Sequence, residues 1–130
     1  MVVLDTSFLI DLIRKDSIAL DKLIELEENG EMLCTTIINI LELYKGVYRS
    51  SKIQHNTLEL HAIIDGLCIL DITPGVYGIF GSLSSNLLQK GCRIGDFDEL
   101  IASISLDHNQ GIITRDAHFD TVSGLRVIHY

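Results

Sequence analysis

Short apolar runs alternate with helix-patterned segments along the whole of this 130-residue chain. Residues 1–5, 32–35, 67–72, 112–114 and 125–128 read as strands. Between them, residues 7–14, 17–29, 36–49, 53–65, 74–90 and 98–109 read as helices, with a short turn or helix over 116–121. Ile18, Leu20, Leu23, Ile24 and Leu26 form an apolar side of the second helix, and Gly30 stands where a C-terminal cap glycine belongs. Pro74 falls in the first turn of its helix, and Gly91 ends it. Strands separated by helices specify an α/β domain with a mainly parallel sheet and right-handed crossovers. No linker, repeat or low-complexity stretch interrupts the pattern, so residues 1–130 are expected to form one domain.

The first strand, Met1-Val2-Val3-Leu4, ends abruptly in Asp5-Thr6-Ser7. A strand this apolar is expected to be buried on both faces, which places its end inside the domain. A carboxylate there is costly unless something cationic meets it. In open parallel sheets, ligands bind beyond the carboxyl ends of the strands, where strand order reverses. Asp5 follows the first strand and Asp116 the fourth, so both face one crevice if those strands are neighbours at the reversal.

Two further acidic positions occupy comparable junctions. Glu42 lies in the apolar stretch Ile37-Ile38-Asn39-Ile40-Leu41-Glu42-Leu43-Tyr44, on one helical face with Ile38 and Gly46. Asp98 opens Asp98-Glu99-Leu100-Ile101-Ala102, with Asp96 two residues before it as an accessory ligand or a cap. Each acid has an ordinary structural role open to it. Asp5 can cap the first helix, though Ser7 is better placed to do so. Glu42 can face solvent. Asp96 and Asp98 suit a first helical turn, and Asp116 can cap a short helix. Four carboxylates at element junctions nevertheless suit a hard divalent cation, which prefers oxygen ligands. Thr114, two residues before Asp116, is placed to orient a carboxylate.

Composition narrows the partners. The formal charge of -8 argues against bulk attraction to nucleic acid. Setting aside the four acids leaves -8 + 4 = -4, still acidic. A polyanion would need a bound metal and a local basic patch. Lys45, Arg49 and Lys52 follow Glu42 by three, seven and ten residues, as a phosphate-contacting stripe or a solvated face. Arg115 is a second phosphate-contact candidate. Cys34, Cys68 and Cys92 fit neither a zinc pattern nor a disulfide framework, and read as buried or half-buried thiols. No apolar run reaches the ~18 residues of a membrane span, and the apolar start lacks the marks of a signal peptide, so a cytoplasmic location is expected.

Other patterns carry less. Gly75, Gly78 and Gly81 lack the strand-then-turn context of a dinucleotide site and suggest a small-residue packing face. The five histidines have no metal-binding spacing and read as ordinary residues.

Taken in order, the motifs resemble those of PIN-domain ribonucleases of the VapC type, the toxins of toxin–antitoxin pairs. Leu4-Asp5-Thr6-Ser7-Phe8-Leu9-Ile10-Asp11 resembles the family's start. Glu42-Leu43-Tyr44-Lys45-Gly46 resembles its second motif, and Asp98-Glu99-Leu100-Ile101-Ala102 its third. Thr114-Arg115-Asp116 with Phe119 resembles its fourth, followed by Gly124-Leu125-Arg126-Val127. The resemblance implies a five-stranded parallel sheet of order 3-2-1-4-5. It implies Asp5, Glu42, Asp98 and Asp116 as ligands of Mg²⁺ or Mn²⁺, with Thr6, Ser7 and Thr114 as supporting hydroxyls. His118 stands where some relatives carry a further acid.

The implied activity is metal-dependent cleavage of RNA by a homodimer that a small antitoxin silences. A housekeeping RNA-processing nuclease without an antitoxin, and a non-catalytic PIN-like binding module, remain as alternatives.

Overall fold

A computed structural model describes residues 1–130. Val2–Leu4 (β1) is the central strand of a five-stranded sheet, flanked by Leu33–Thr36 (β2) and Gly111–Ile113 (β4). Cys68–Leu70 (β3) and Val127–Ile128 (β5) form the edges, giving the order β3-β2-β1-β4-β5. Every pairing is parallel. The reversal of strand order therefore falls between β1 and β4, as the alternating sequence pattern and the resemblance anticipate. Leu4 pairs with Ile113, so Asp5 and Thr114 leave the sheet side by side.

Helices cover both faces. Between β1 and β2 run Thr6–Ile13 (α1) and Ser17–Glu28 (α2), and between β2 and β3 run Ile37–Tyr48 (α3) and Ile53–Ile64 (α4). Pro74–Lys90 (α5) and Asp96–Asp107 (α6) link β3 to β4, and a 3-10 turn over Ala117–Thr121 precedes β5. The pleat of β1 divides the core. Val2 and Leu4 pack with Phe8, Leu9, Leu12, Leu43, Val47 and Leu60 from α1, α3 and α4. Val3 packs on the other face with Val76, Leu83, Leu87, Ile101 and Ile104 from α5 and α6. No helix is long and apolar enough to cross a membrane.

Several local expectations change. Helix α1 starts at Thr6, with Asp5 in the cap position but its carboxylate making no cap bond, and Ser7 lies inside the helix. Helix α6 starts at Asp96, two residues early, because Gly95 turns the chain at φ 101° and leaves Asp96 and Asp98 both in the first turn. On α2, Ala19 and Leu26 are buried, while Ile18 and Ile24 lie on the exposed side. Cys34 is buried, but its register partner Cys68 on edge strand β3 is exposed. Of the three α5 glycines only Gly75 packs tightly, since a side chain there would meet the Asp107 carboxylate; Gly78 and Gly81 face open space.

Candidate active site

Asp5 is only 5% exposed and sits at the reversal crevice. Three side chains donate to it: Thr114 Oγ1 to Oδ2 at 2.7 Å, Ser7 Oγ to Oδ2 at 3.3 Å, and Asn39 Nδ2 to Oδ1 at 3.1 Å. Burial pushes its pKa above the ordinary carboxylate value, and these donors, with the Thr6 backbone amide, pull the other way. The position is also fixed through the main chain, because the Asp5 amide donates to the Ile113 carbonyl at 3.0 Å. Strand end, helix start and neighbouring strand thus hold one carboxylate from three sides.

Glu42 is tied to the same network. Asn39 Nδ2 donates to Thr6 Oγ1 at 3.0 Å, and that hydroxyl donates to Glu42 Oε1 at 2.8 Å. Burial raises the Glu42 pKa; Thr6 opposes the rise, and Asp5 adds to it. Asn39 is itself locked by a capping box at the start of α3. Its amide donates to Thr36 Oγ1 at 3.2 Å, and its side-chain oxygen accepts from the Thr36 amide at 3.2 Å. Asn39 is uncharged and belongs to none of the four acidic positions, so the sequence does not single it out. The available signal was Thr-x-x-Asn at a helix start, with the Asn three residues before Glu42 on the same helix.

Asp98 completes the acidic cluster from the first turn of α6. Its pKa is pushed up to about 7 by burial first, then by the charges of Asp5, Glu42 and Asp116, with His118 acting in the opposite direction. Asp116 joins from beyond β4, where its amide donates to Thr114 Oγ1 at 2.9 Å. Its carboxylate also caps the 3-10 turn, accepting from the His118 amide at 2.9 Å, and lies 3.0 Å from His118 Nδ1. The structural role weighed for Asp116 is therefore present together with its place at the crevice.

The four carboxylates converge without closing: no three His, Cys, Asp or Glu side chains stand within common reach of one ion. Their oxygen donors nonetheless suit a hard divalent cation, and the raised Asp98 pKa marks a concentration of negative charge that such an ion would relieve. Asp96 lies further out, three-quarters exposed and paired with Arg93 at 3.3 Å, on the rim of a groove that Glu42 and Asp98 also line.

The basic candidates separate. Lys45 lines that groove. Arg49 is the exposed C-terminal cap of α3, and Lys52 precedes α4, so neither lines it. Arg115 extends beside the crevice with its Nε 3.2 Å from Asp11 Oδ2, and the buried Asp11 also accepts from the Tyr130 hydroxyl at 2.7 Å. Asp11 closed the first motif without being assigned a role; the structure makes it the anchor of Arg115.

Comparison with known proteins identifies the family. Residues 2–125 match the PIN domain family. Ribonuclease VapC2 of Rickettsia felis is 30% identical over 113 residues, covering 87% of this chain and 84% of that protein. The tRNA(fMet)-specific endonuclease VapC of Shigella flexneri is 25% identical, covering 75% of each chain. Among solved structures, VapBC2 of Rickettsia felis bound to a promoter DNA fragment includes a chain that superposes with a TM-score of 0.93 at 27% identity, covering 100% of this chain and 99% of its own. The strand order, the crevice between β1 and β4 and these matches agree: the chain belongs to the PIN domain family, among its VapC-type members.

Proposed function

We propose that the chain is a divalent-metal-dependent endoribonuclease, the toxin of a toxin–antitoxin pair. The observation that carries this reading is the hydrogen-bonded network through Thr114, Asn39 and Thr6 that gathers Asp5, Asp116 and Glu42, with Asp98 lining the same groove as Glu42. Asp5, Glu42, Asp98 and Asp116 would hold Mg²⁺ or Mn²⁺. When bound, such an ion supplies an activated water and neutralises charge on the phosphate under attack. The protein's own part is placement. Thr114, Ser7 and Asn39 keep the Asp5 carboxylate aimed, and Thr6 turns Glu42 toward the same crevice. Lys45 and Arg115 put positive charge on two sides of it for the flanking phosphates.

The toxin assignment is supported by relatives solved as VapBC complexes. The working unit is a homodimer in the cytoplasm, for which exposed Tyr77 and Leu88 on α5 leave apolar surface available. Transfer RNA is the first substrate to assay, since the Shigella relative bears a tRNA-specific name. The experiment is Mn²⁺- or Mg²⁺-dependent cleavage of purified RNAs by the wild type and by Asp5→Asn, with chelator controls and circular dichroism. The variant should keep its fold and lose cleavage; full activity in it would refute the assignment. The non-catalytic alternative draws on the spacing of the carboxylates, which stand apart from common reach of one ion. Cleavage that appears with metal and disappears with chelator excludes that alternative.

A further inference from the structure

Phe97 is 42% exposed although it stands between two residues of the acidic groove, Asp96 and Asp98. The groove, of about 350 Å³, is lined by Glu42, Lys45, Ile94, Asp96, Phe97 and Asp98. This lies toward the small end of the ~300–1,000 Å³ typical of ligand clefts. Lys45 Nζ lies 5.9 Å from the centre of the Phe97 ring, within cation–π range. The ring is carried by a fixed element. Arg93 bonds Asp96 at 3.3 Å and lies 3.8 Å from the fully buried Glu99 carboxylate, so one side chain braces the first turn of α6.

We propose that Phe97 is a nucleobase-stacking subsite that seats one base of single-stranded RNA beside the scissile phosphodiester. The proposal rests on the nuclease reading and specifies how that site grips its substrate. A nucleotide presents one flat π-face and one anion, and the groove presents one aromatic ring and one ammonium next to the four acids. The base stacks on the ring in place of the Lys45 ammonium, which moves from the ring to the phosphate flanking that base. Stacking on an exposed aromatic holds unpaired bases with little sequence preference. It also supplies affinity that an acidic protein does not gain from its overall charge. An apolar protein side chain is a poorer occupant, because three carboxylates, Glu42, Asp96 and Asp98, surround the two apolar residues of the groove, Ile94 and Phe97.

The chain contains no tryptophan, so Phe97→Trp installs a single fluorescent reporter at the subsite. In the Phe97→Trp/Asp5→Asn double variant, a short single-stranded oligoribonucleotide should quench this tryptophan. Moving one abasic position along the oligonucleotide should relieve the quenching at one position only. In cleavage assays Phe97→Ala should raise KM about tenfold with kcat nearly unchanged, and Phe97→Trp should restore KM. An abasic substrate should make wild type and Phe97→Ala alike. An unchanged KM in Phe97→Ala, or an equal loss on base-bearing and abasic RNA, overturns the subsite. So does a change of oligomeric state in Phe97→Ala without loss of RNA affinity, which assigns the ring to a protein contact. Failure of the wild type to cleave any RNA with metal overturns the nuclease reading instead, and the quenching experiment, which needs no cleavage, still decides the subsite.

Discussion

Thr114 Oγ1 donates to Asp5 Oδ2 at 2.7 Å, joining residues 109 positions apart at the adjacent ends of β4 and β1. The same hydroxyl accepts from the Asp116 amide at 2.9 Å, so one side chain positions two of the four acids. Thr114→Val keeps the shape and removes both bonds. A hydrogen bond to a charged group contributes ~1.5–3 kcal/mol, and stability should fall by about that amount. Cleavage should fall on the order of tenfold, as when a group orienting a metal ligand is lost. Urea denaturation and cleavage rates check both; unchanged values would remove Thr114 from the site.

Among the neutral residues of the site, Asn39 should be the costliest to lose. Its side chain closes the α3 capping box and donates to both Asp5 and Thr6. Asn39→Ala removes the side-chain half of the capping box and leaves buried groups without partners, a loss of roughly 2–4 kcal/mol. Leu41→Ala, at an exposed position on the same helix, is the control and should change stability by much less. Equal losses in the two variants would contradict the role given to Asn39.

Asp98 makes the metal-free protein sensitive to pH. Its folded pKa of about 7 lies above the ordinary 3.8, so the folded state keeps a proton that the unfolded chain has released. The Asp98 contribution to stability is therefore full below the ordinary pKa and is lost as pH rises toward 7. The raised pKa values of Asp5 and Glu42 act with the same sign. Without metal, the unfolding temperature of wild type should drop between pH 5.5 and 8, and Asp98→Asn should drop less. Mn²⁺ should stabilise wild type more at pH 8 than at pH 5.5, because protonated carboxyls bind the ion poorly. Parallel pH curves for the two proteins would remove Asp98 as the cause.

Arg115 is half-exposed, so its pair with Asp11 should contribute no more than ~1 kcal/mol to stability. Its role should instead appear in substrate affinity. Arg115→Ala is expected to raise KM severalfold with little change in unfolding temperature. Asp11→Asn retains an acceptor for Tyr130 while weakening the hold on Arg115, and should give the same kinetic change in part. If Asp11 acts through Arg115, the double variant should be no worse than Arg115→Ala. Additive losses would separate the two residues.

How much was legible in advance depended on the range of the interaction. The strands were readable because Val2–Leu4 and Gly111–Ile113 are apolar on both faces and bounded by polar or glycine signals. Asp5, Glu42, Asp98 and Asp116 stood out as acids at element junctions, and the structure places them around one crevice. Ile18 and Ile24 show that helical periodicity gives a face and not its partner: the side that carries Ala19 and Leu26 packs into the core with α1, and Ile18 and Ile24 lie outside it. Cys68 is exposed and not buried because β3 is an edge strand, which residue type does not show.

The alternation of elements, and with it the parallel sheet and the acids beyond its strand ends, is written along the chain. Periodicity and capping are local and survive in one dimension. Folding in three dimensions brings Asn39 to Asp5 and Thr6, sets Asp11 against Arg115, turns Asp96 outward to Arg93 and Asp98 inward, and lays Lys45 over Phe97. Each of these joins side chains through a direction in space. Such directions follow from how helices dock on a twisted sheet, and spacing along the chain does not encode them.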